Sequence, residues 1–198
     1  MHDDLGARLT QLSFQGEMAK RSLTDEKSAS GNLDRVVEGV RQTAQALDDI
    51  VWMTNPRNDT LSRLISHLAQ VASELAESAD WVLELSLPDS IPSQAVAGQL
   101  RHEIVMVFKE ALNNASKHSE CSRIRLNIHL DSNLLVFEVA DDGKGFDVAG
   151  SRDRGNGLLQ MKTRTERAGG QISWESQRGQ GTRVEVKIQL SPPRNEGC

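Results

Sequence analysis

The sequence is short of cysteine, of basic charge and of long apolar runs, and each shortage closes off a class of protein. Cys121 and Cys198 are the only cysteines, far apart and without metal-site spacing, so neither a disulfide framework nor a zinc module is encoded. The net charge of -5 provides no basic excess for a phosphate backbone, which argues against nucleic acid as the main partner. No apolar run approaches the roughly 20 residues that span a bilayer, and no signal peptide opens the chain. A reducing, cytoplasmic setting is expected, with any membrane anchor belonging to a longer parent. Internal repeats and low-complexity tracts are also missing. What remains is 198 residues, 37% hydrophobic and 26% charged, suiting one mid-sized globular domain or a small domain joined to a larger one.

Two segments near the front carry a coiled-coil period. Leu5, Leu9, Leu12, Gly16, Ala19 and Leu23 alternate spacings of four and three, as do Leu33, Val37, Val40, Ala44, Leu47 and Val51. The polar residues 25–32, with Gly31, supply a turn between them. The first heptad begins at once, so Met1 to Leu5 read as the middle of a helix used as a start point. Two such helices cannot bury both faces alone. Pairing with a second copy as a four-helix bundle is the economical solution, and packing of the hairpin on its own downstream domain is the alternative. Asn55-Pro56 breaks the second helix, and Asn58-Asp59-Thr60 offers caps for a new one whose apolar face is Leu61, Leu64, Leu68, Val71 and Leu75. The expected organisation is a helical hairpin over residues 1–59 and a second domain over 60–198.

In that second domain helices and strands mix. Residues 82–87 alternate as a strand that ends at Pro88, and Leu100, Ile104, Val107, Phe108, Ala111 and Ala115 stripe a helix from about Val96 to Lys117. Ile124, Leu126, Ile128 and Leu130 alternate, a turn follows at Asp131-Ser132-Asn133, and Leu135, Phe137 and Val139 alternate back. A helix from Leu158 to Ala168 stops at Gly169-Gly170, two further strands hold Ile172 with Trp174 and Val184 to Leu190, and the residues past Ser191 read as a loose tail. The fold class is α+β: a helical hairpin followed by an α/β sandwich, with helices on one face of a largely antiparallel sheet.

Three short motifs carry chemistry. Glu110, Asn114 and Lys117 recur at helical steps, so they line one face of a helix end. A carboxylate and a carboxamide so placed can hold a hydrated Mg²⁺, with the lysine reaching a phosphate; alone, the trio is equally a solvated polar stripe. Asp141-Asp142-Gly143-Lys144-Gly145 follows a strand, where glycines let a planar ligand approach and a carboxylate can accept from an exocyclic amine such as that of adenine; alone, it is equally an acidic turn. Gly155-Asn156-Gly157-Leu158 opens a helix, whose free amides suit phosphate. It is neither a Walker loop, since no Gly-Lys-Ser/Thr follows, nor a Rossmann turn, since no parallel βαβ unit surrounds it.

Taken in order, with Gly179-Gln180-Gly181-Thr182 before the last strand, these motifs closely resemble the ATP-binding lobe shared by sensor histidine kinases, gyrase-type topoisomerases, Hsp90 chaperones and mismatch-repair ATPases, over roughly residues 60 to 190. The resemblance implies that Glu110 and Asn114 hold Mg²⁺, and that Lys117 and His118 approach the phosphates of ATP. It implies Asp141 on the adenine amine with Gly143 and Gly145 beside it, Gly155, Gly157 and Leu158 as the phosphate lid, and Thr182 completing the base pocket. His2-Asp3-Asp4-Leu5-Gly6 resembles the phosphoacceptor box of the sensor-kinase subgroup that includes nitrate- and membrane-fluidity-responsive kinases, which selects that branch. The implied activity is autophosphorylation of His2, with Asp3 as general base, followed by transfer to an aspartate on a response-regulator receiver domain, all within a homodimer.

Two departures narrow the resemblance. Ala7 stands where members that also dephosphorylate their partner usually carry glutamine, with Gln11 too far along the helix to substitute, so a weak or absent phosphatase is expected. The arginine-rich turn that precedes the histidine in relatives is not in this sequence, which predicts fraying at His2. Two other readings stand beside the leading one. One is a serine kinase of the anti-sigma-factor type, and the other is a dimeric nucleotide-binding module without transfer.

Overall fold

A computed structural model of the chain describes residues 50–147 and 156–190, together with isolated helical positions between 33 and 47. His2, Asp3, Ala7, Gly155, the first heptad segment and the tail past Ser191 lie outside the described residues. The chain divides into two compact units, Met1–Pro56 and Arg57–Cys198.

In the first unit every described position from Leu33 to Thr54 is helical, and the helix stops at Asn55, ahead of a single 3₁₀ turn at Pro56–Asn58. The seam side chains Leu33, Val37, Val40, Leu47 and Val51 are 49–60% exposed. Among its described positions Val36, Gly39, Thr43, Ile50 and Trp52 are half-buried and Met53 is buried.

Among its described residues the second unit has three helices, α1 (Leu61–Ala79), α2 (Gly98–His118) and α3 (Asn156–Arg167), and five strands: β1 (Val82–Ser86), β2 (Arg123–Asp131), β3 (Leu134–Asp141), β4 (Gly170–Ser176) and β5 (Thr182–Gln189). The sheet order is β1-β2-β3-β5-β4, antiparallel throughout except for the parallel pair β1 and β2, which α2 connects as a crossover. Alternation decides the faces. Ile124, Leu126, Ile128, Leu135, Phe137, Val139, Val184, Val186 and Ile188 are all buried, while their neighbours Arg125, Glu138, Arg183, Glu185 and Lys187 stand on the other face, where Arg183 bonds Glu138 at 2.6 Å and Glu175 at 3.1 Å. Phe137 meets Phe108 of α2 edge to face at 5.7 Å, which identifies the apolar side as the helix side.

Thr60, not Asp59, caps α1, accepting from the Arg63 amide at 3.3 Å. Asp59 is drawn away by Arg101, a guanidinium buried to 1% exposure in the first turn of α2. The buried face of α1 runs Leu61, Leu64, Ile65, Leu68, Ala72 and Ala76, so the expected Val71 and Leu75 lie at its margin. The α2 stripe matches the expected one at Ile104, Val107, Phe108, Ala111 and Ala115. Helix α3 lies against α2 and is pinned near its end by Arg164, which donates to buried Glu103 at 3.0 Å.

Candidate ATP site

The pin at Glu103 fixes where the other end of α3 falls. Seven residues before Arg164 stands Gly157, and seven after Glu103 stands Glu110, so antiparallel packing sets them face to face. A Cβ on Gly157 would lie 2.6 Å from Glu110 Oε1 and 3.7 Å from Asn114 Nδ2. Glycine lets the start of α3 come this close without displacing the Glu110 carboxylate, and it leaves a half-buried carboxylate and carboxamide beside the first amides of the helix. Glu110 makes no ion pair with any other described residue, unlike Glu103 two turns away. An uncompensated carboxylate beside a carboxamide suits a cation that takes few protein oxygens and keeps its waters, as Mg²⁺ does. Among the described residues no cluster of three or more acidic, histidine or cysteine side chains could hold a metal ion.

The base end of the site is built where three chain segments meet. Helix α2 is capped by Ser119, whose carbonyl takes the Lys144 amide at 2.7 Å and lies against Gly143. The Gly179 amide reaches the Lys144 carbonyl at 2.7 Å, tying the Asp-x-Gly-x-Gly loop to the β4–β5 turn. Gly145 lies against the carbonyls of Gln177 and Gly181. Gly181 sits at φ +77°, and a Cβ there would stand 1.9 Å from the Asp141 carbonyl oxygen. Asp141 and Thr182 are cross-strand partners in the β3–β5 ladder, so both side chains project from the helix side at the same end of the sheet.

Asp141 and Asp142 have opposite roles. Burial pushes the Asp141 carboxyl above the usual aspartate range, and the amides of Gly143 and Thr182 offset only part of that. Asp142 feels a burial effect too, but the Arg123 and Ser122 amides at 2.9 Å and the Ser122 hydroxyl at 3.0 Å outweigh it and hold its carboxyl low. Asp142 is thus spent on fastening β2, whereas Asp141 faces the site half-buried. Lys117 and His118 are exposed on the last turn of α2, between the two halves of the site, and Leu158 is half-buried one residue past Gly157.

Ser176 escaped the sequence reading. Its Oγ accepts from the Phe146 amide at 2.8 Å and lies 3.0 Å from both the Gly181 carbonyl and the Thr182 hydroxyl. A serine closing a strand before a glycine turn was the available signal. Ser119 gave none, because any residue's carbonyl can play its part.

Known proteins resemble this chain in sequence and in fold. Residues 100–192 match the family of histidine kinase-, DNA gyrase B- and HSP90-like ATPases. The chain is 30% identical over 96% of its length to the sensor histidine kinase LnrJ of Bacillus subtilis (strain 168), covering 46% of that protein. It is 26% identical over 98% of its length to the sensor histidine kinase DesK of the same organism, covering 49% of it. It therefore spans about half the length of these relatives. The fold of the histidine kinase domain of the Erythrobacter litoralis EL346 blue-light activated histidine kinase superposes with a TM-score of 0.61 at 16% identity, over 93% of this chain and 94% of that one. Among the described residues no helix is long and apolar enough to cross a membrane. The glycine-lined site between α2, the Asp141 loop and the start of α3 thus lies within residues that match this ATPase family, in a chain similar along nearly its whole length to sensor histidine kinases.

Proposed function

We propose that the chain is the catalytic core of a sensor histidine kinase, with residues 1–59 the dimerisation and phosphoacceptor hairpin and residues 60–198 the ATP-binding domain. The observation that carries this is the meeting of Glu110 and Asn114 with the glycine start of α3, on the same side of the sheet as Asp141 and Thr182. Adenine lies against Asp141 and Thr182, flanked by Gly143 and Gly145. The triphosphate runs toward the amides of Gly155, Gly157 and Leu158, within reach of Lys117 and His118. Glu110 and Asn114 hold Mg²⁺, which when bound neutralises phosphate charge during transfer. The His2 imidazole attacks the γ-phosphorus: a nitrogen–phosphorus bond forms, the bond to the ADP oxygen breaks, and Asp3 takes the imidazole proton. The phosphoryl group then passes to an aspartate of a response-regulator receiver domain.

The exposed heptad seam supports a homodimer. Five aliphatic side chains at 49–60% exposure form a continuous apolar stripe that a second copy covers as a four-helix bundle. Ala7 in place of glutamine leaves no side chain to orient a hydrolytic water, so the reverse, dephosphorylating reaction is weak.

The test is incubation with γ-labelled ATP and Mg²⁺, using both this chain and a version extended upstream of His2. Label that survives alkali but not acid, and that disappears in His2→Gln, is the expected result. Label on the serine of an added partner, or none in the extended version, would overturn the proposal. Decay of a phosphorylated receiver domain should be unchanged by adding the protein; marked acceleration removes the reading of Ala7.

A further inference from the structure

We infer that Ser176, through the hydroxyl of Thr182, makes the base pocket reject purines that carry an oxygen instead of an amine at position 6; this rests on the ATP reading of the site. The argument is a count of protons. A serine hydroxyl has one hydrogen to donate and two lone pairs to accept with. One lone pair of Ser176 takes the Phe146 amide at 2.8 Å. The Gly181 carbonyl, 3.0 Å away, can only accept, so it takes the single Ser176 hydrogen. The contact of 3.0 Å between the Ser176 and Thr182 hydroxyls can then be made in one sense alone, with Thr182 donating.

Thr182 is left with lone pairs and no proton to offer a ligand. Beside it in the ladder Asp141 is an acceptor as well, with the Gly143 amide already on its Oδ1 at 3.0 Å and the Thr182 amide also directed to its carboxylate. The row Ser176–Thr182–Asp141, set by consecutive strand pairings, thus ends in acceptors on the ligand side. An exocyclic amine brings two hydrogens to such a row. A 6-oxo group brings two further lone pairs and finds no donor there. Removing the Ser176 hydroxyl frees the Thr182 proton to turn outward, where it can donate to a 6-oxo group. Ser176 is therefore a positioning residue: it acts on the base through Thr182.

The measurement is displacement of a fluorescent trinitrophenyl derivative of ATP by ATP and by ITP, whose base is 6-oxo, for the whole chain and its variants. The unsubstituted chain is expected to prefer ATP by about tenfold or more. Ser176→Ala narrows that ratio by about fivefold, since a single hydrogen bond changes sense, whereas Ser176→Thr, which keeps a hydroxyl, preserves it. Thr182→Val removes the switchable hydroxyl itself, so adding Ser176→Ala to it should leave the ratio unchanged; this arm stands even if the single serine variant is poorly folded. Equal weakening of ATP and ITP in Ser176→Ala marks a merely structural serine and overturns the inference. So does a Ser176→Thr ratio that falls with the alanine variant. Failure of the unsubstituted chain to exchange the probe for ATP removes the nucleotide reading itself, which separates the two failures.

Discussion

The two ends of the sheet use the same kinds of side chain in opposite ways. At the end holding the β2–β3 turn, polar groups are consumed internally. Asn133 accepts from Gln94 at 3.0 Å, takes the Leu190 amide on its carbonyl at 2.8 Å and donates its side-chain amide back to Leu190. Arg101 closes on Asp59 beneath the bridge between Thr60 and Ala95. At the other end Asp141, Thr182, Glu110 and Asn114 stay half-buried beside Gly157 and Gly181, at each of which a Cβ would come within 2.6 Å of a neighbouring oxygen. On the function proposed above, one end is arranged for stability and the other gives stability up for binding. The division predicts that substitutions at the two ends move different observables.

The largest effect is expected at the closed end. Arg101→Ala removes a side chain that is 1% exposed together with its ion pair, and should lower unfolding stability by about 2–3 kcal/mol. ATP affinity of the remaining folded protein should be unchanged. Thermal unfolding with and without ATP separates the two quantities, and a comparable loss of affinity would break the comparison. Asp141→Asn is the counterpart at the open end. The carboxamide keeps the shape but puts a donor where the base needs acceptors, so ATP affinity should fall about thirtyfold, about 2 kcal/mol. Stability should hold or rise, because a partly buried charge is gone.

How much of this contrast was readable beforehand depends on the range of the interaction. The β2–β3 hairpin was legible because one face is buried and each slip of register would invert it. The stripe of α1 was read on a seven-residue period through Val71 and Leu75. A straight helix turns once every 3.6 residues, so the buried line drifts to Ala72 and Ala76 within about four turns. The parallel partnership of β1 and β2 had no local signal, since it depends on a crossover through the whole of α2. Within the site, the glycines and Asp141 stood out as local motifs. Of the three cap candidates Asn58, Asp59 and Thr60, local sequence could not single out Thr60, because Arg101, which takes Asp59, lies 42 residues away. Ser176 was missed for the same reason: its role exists only once β4, β5 and the loop of Phe146 are brought together.

A third test uses pH, where Asp141 should show two opposite trends. Its carboxyl is raised in the folded state, so its contribution to stability is fully present below the ordinary aspartate value and lost as pH rises through the raised one. Ligand binding needs the ionised form, so ATP affinity should fall as pH drops through that same raised value. The difference between the unsubstituted chain and Asp141→Asn isolates this group from the lowered carboxyls of Asp142, Glu84 and Glu120, whose stabilisation is lost on acidification instead. In that difference affinity should fall severalfold on acidification through the raised value while relative stability increases. Parallel movement of the two would contradict the assignment of Asp141 to the ligand.

The smallest effect sharpens the comparison most, because it asks one methyl group to trade one property for the other. Gly157 is the second residue of α3, where alanine is the better helix former by roughly 0.5–1 kcal/mol. The added Cβ would stand 2.6 Å from Glu110 Oε1, a contact relieved by swinging the carboxylate aside rather than by moving backbone. Gly157→Ala should therefore raise the unfolding temperature slightly while pushing Glu110 out of line with Asn114. Affinity for ATP in the presence of Mg²⁺ should drop about fivefold, about 1 kcal/mol, and affinity in EDTA should change less. Equal losses with and without the metal would mean that Gly157 serves the phosphates alone, and that Glu110 and Asn114 are not the pair that holds the cation.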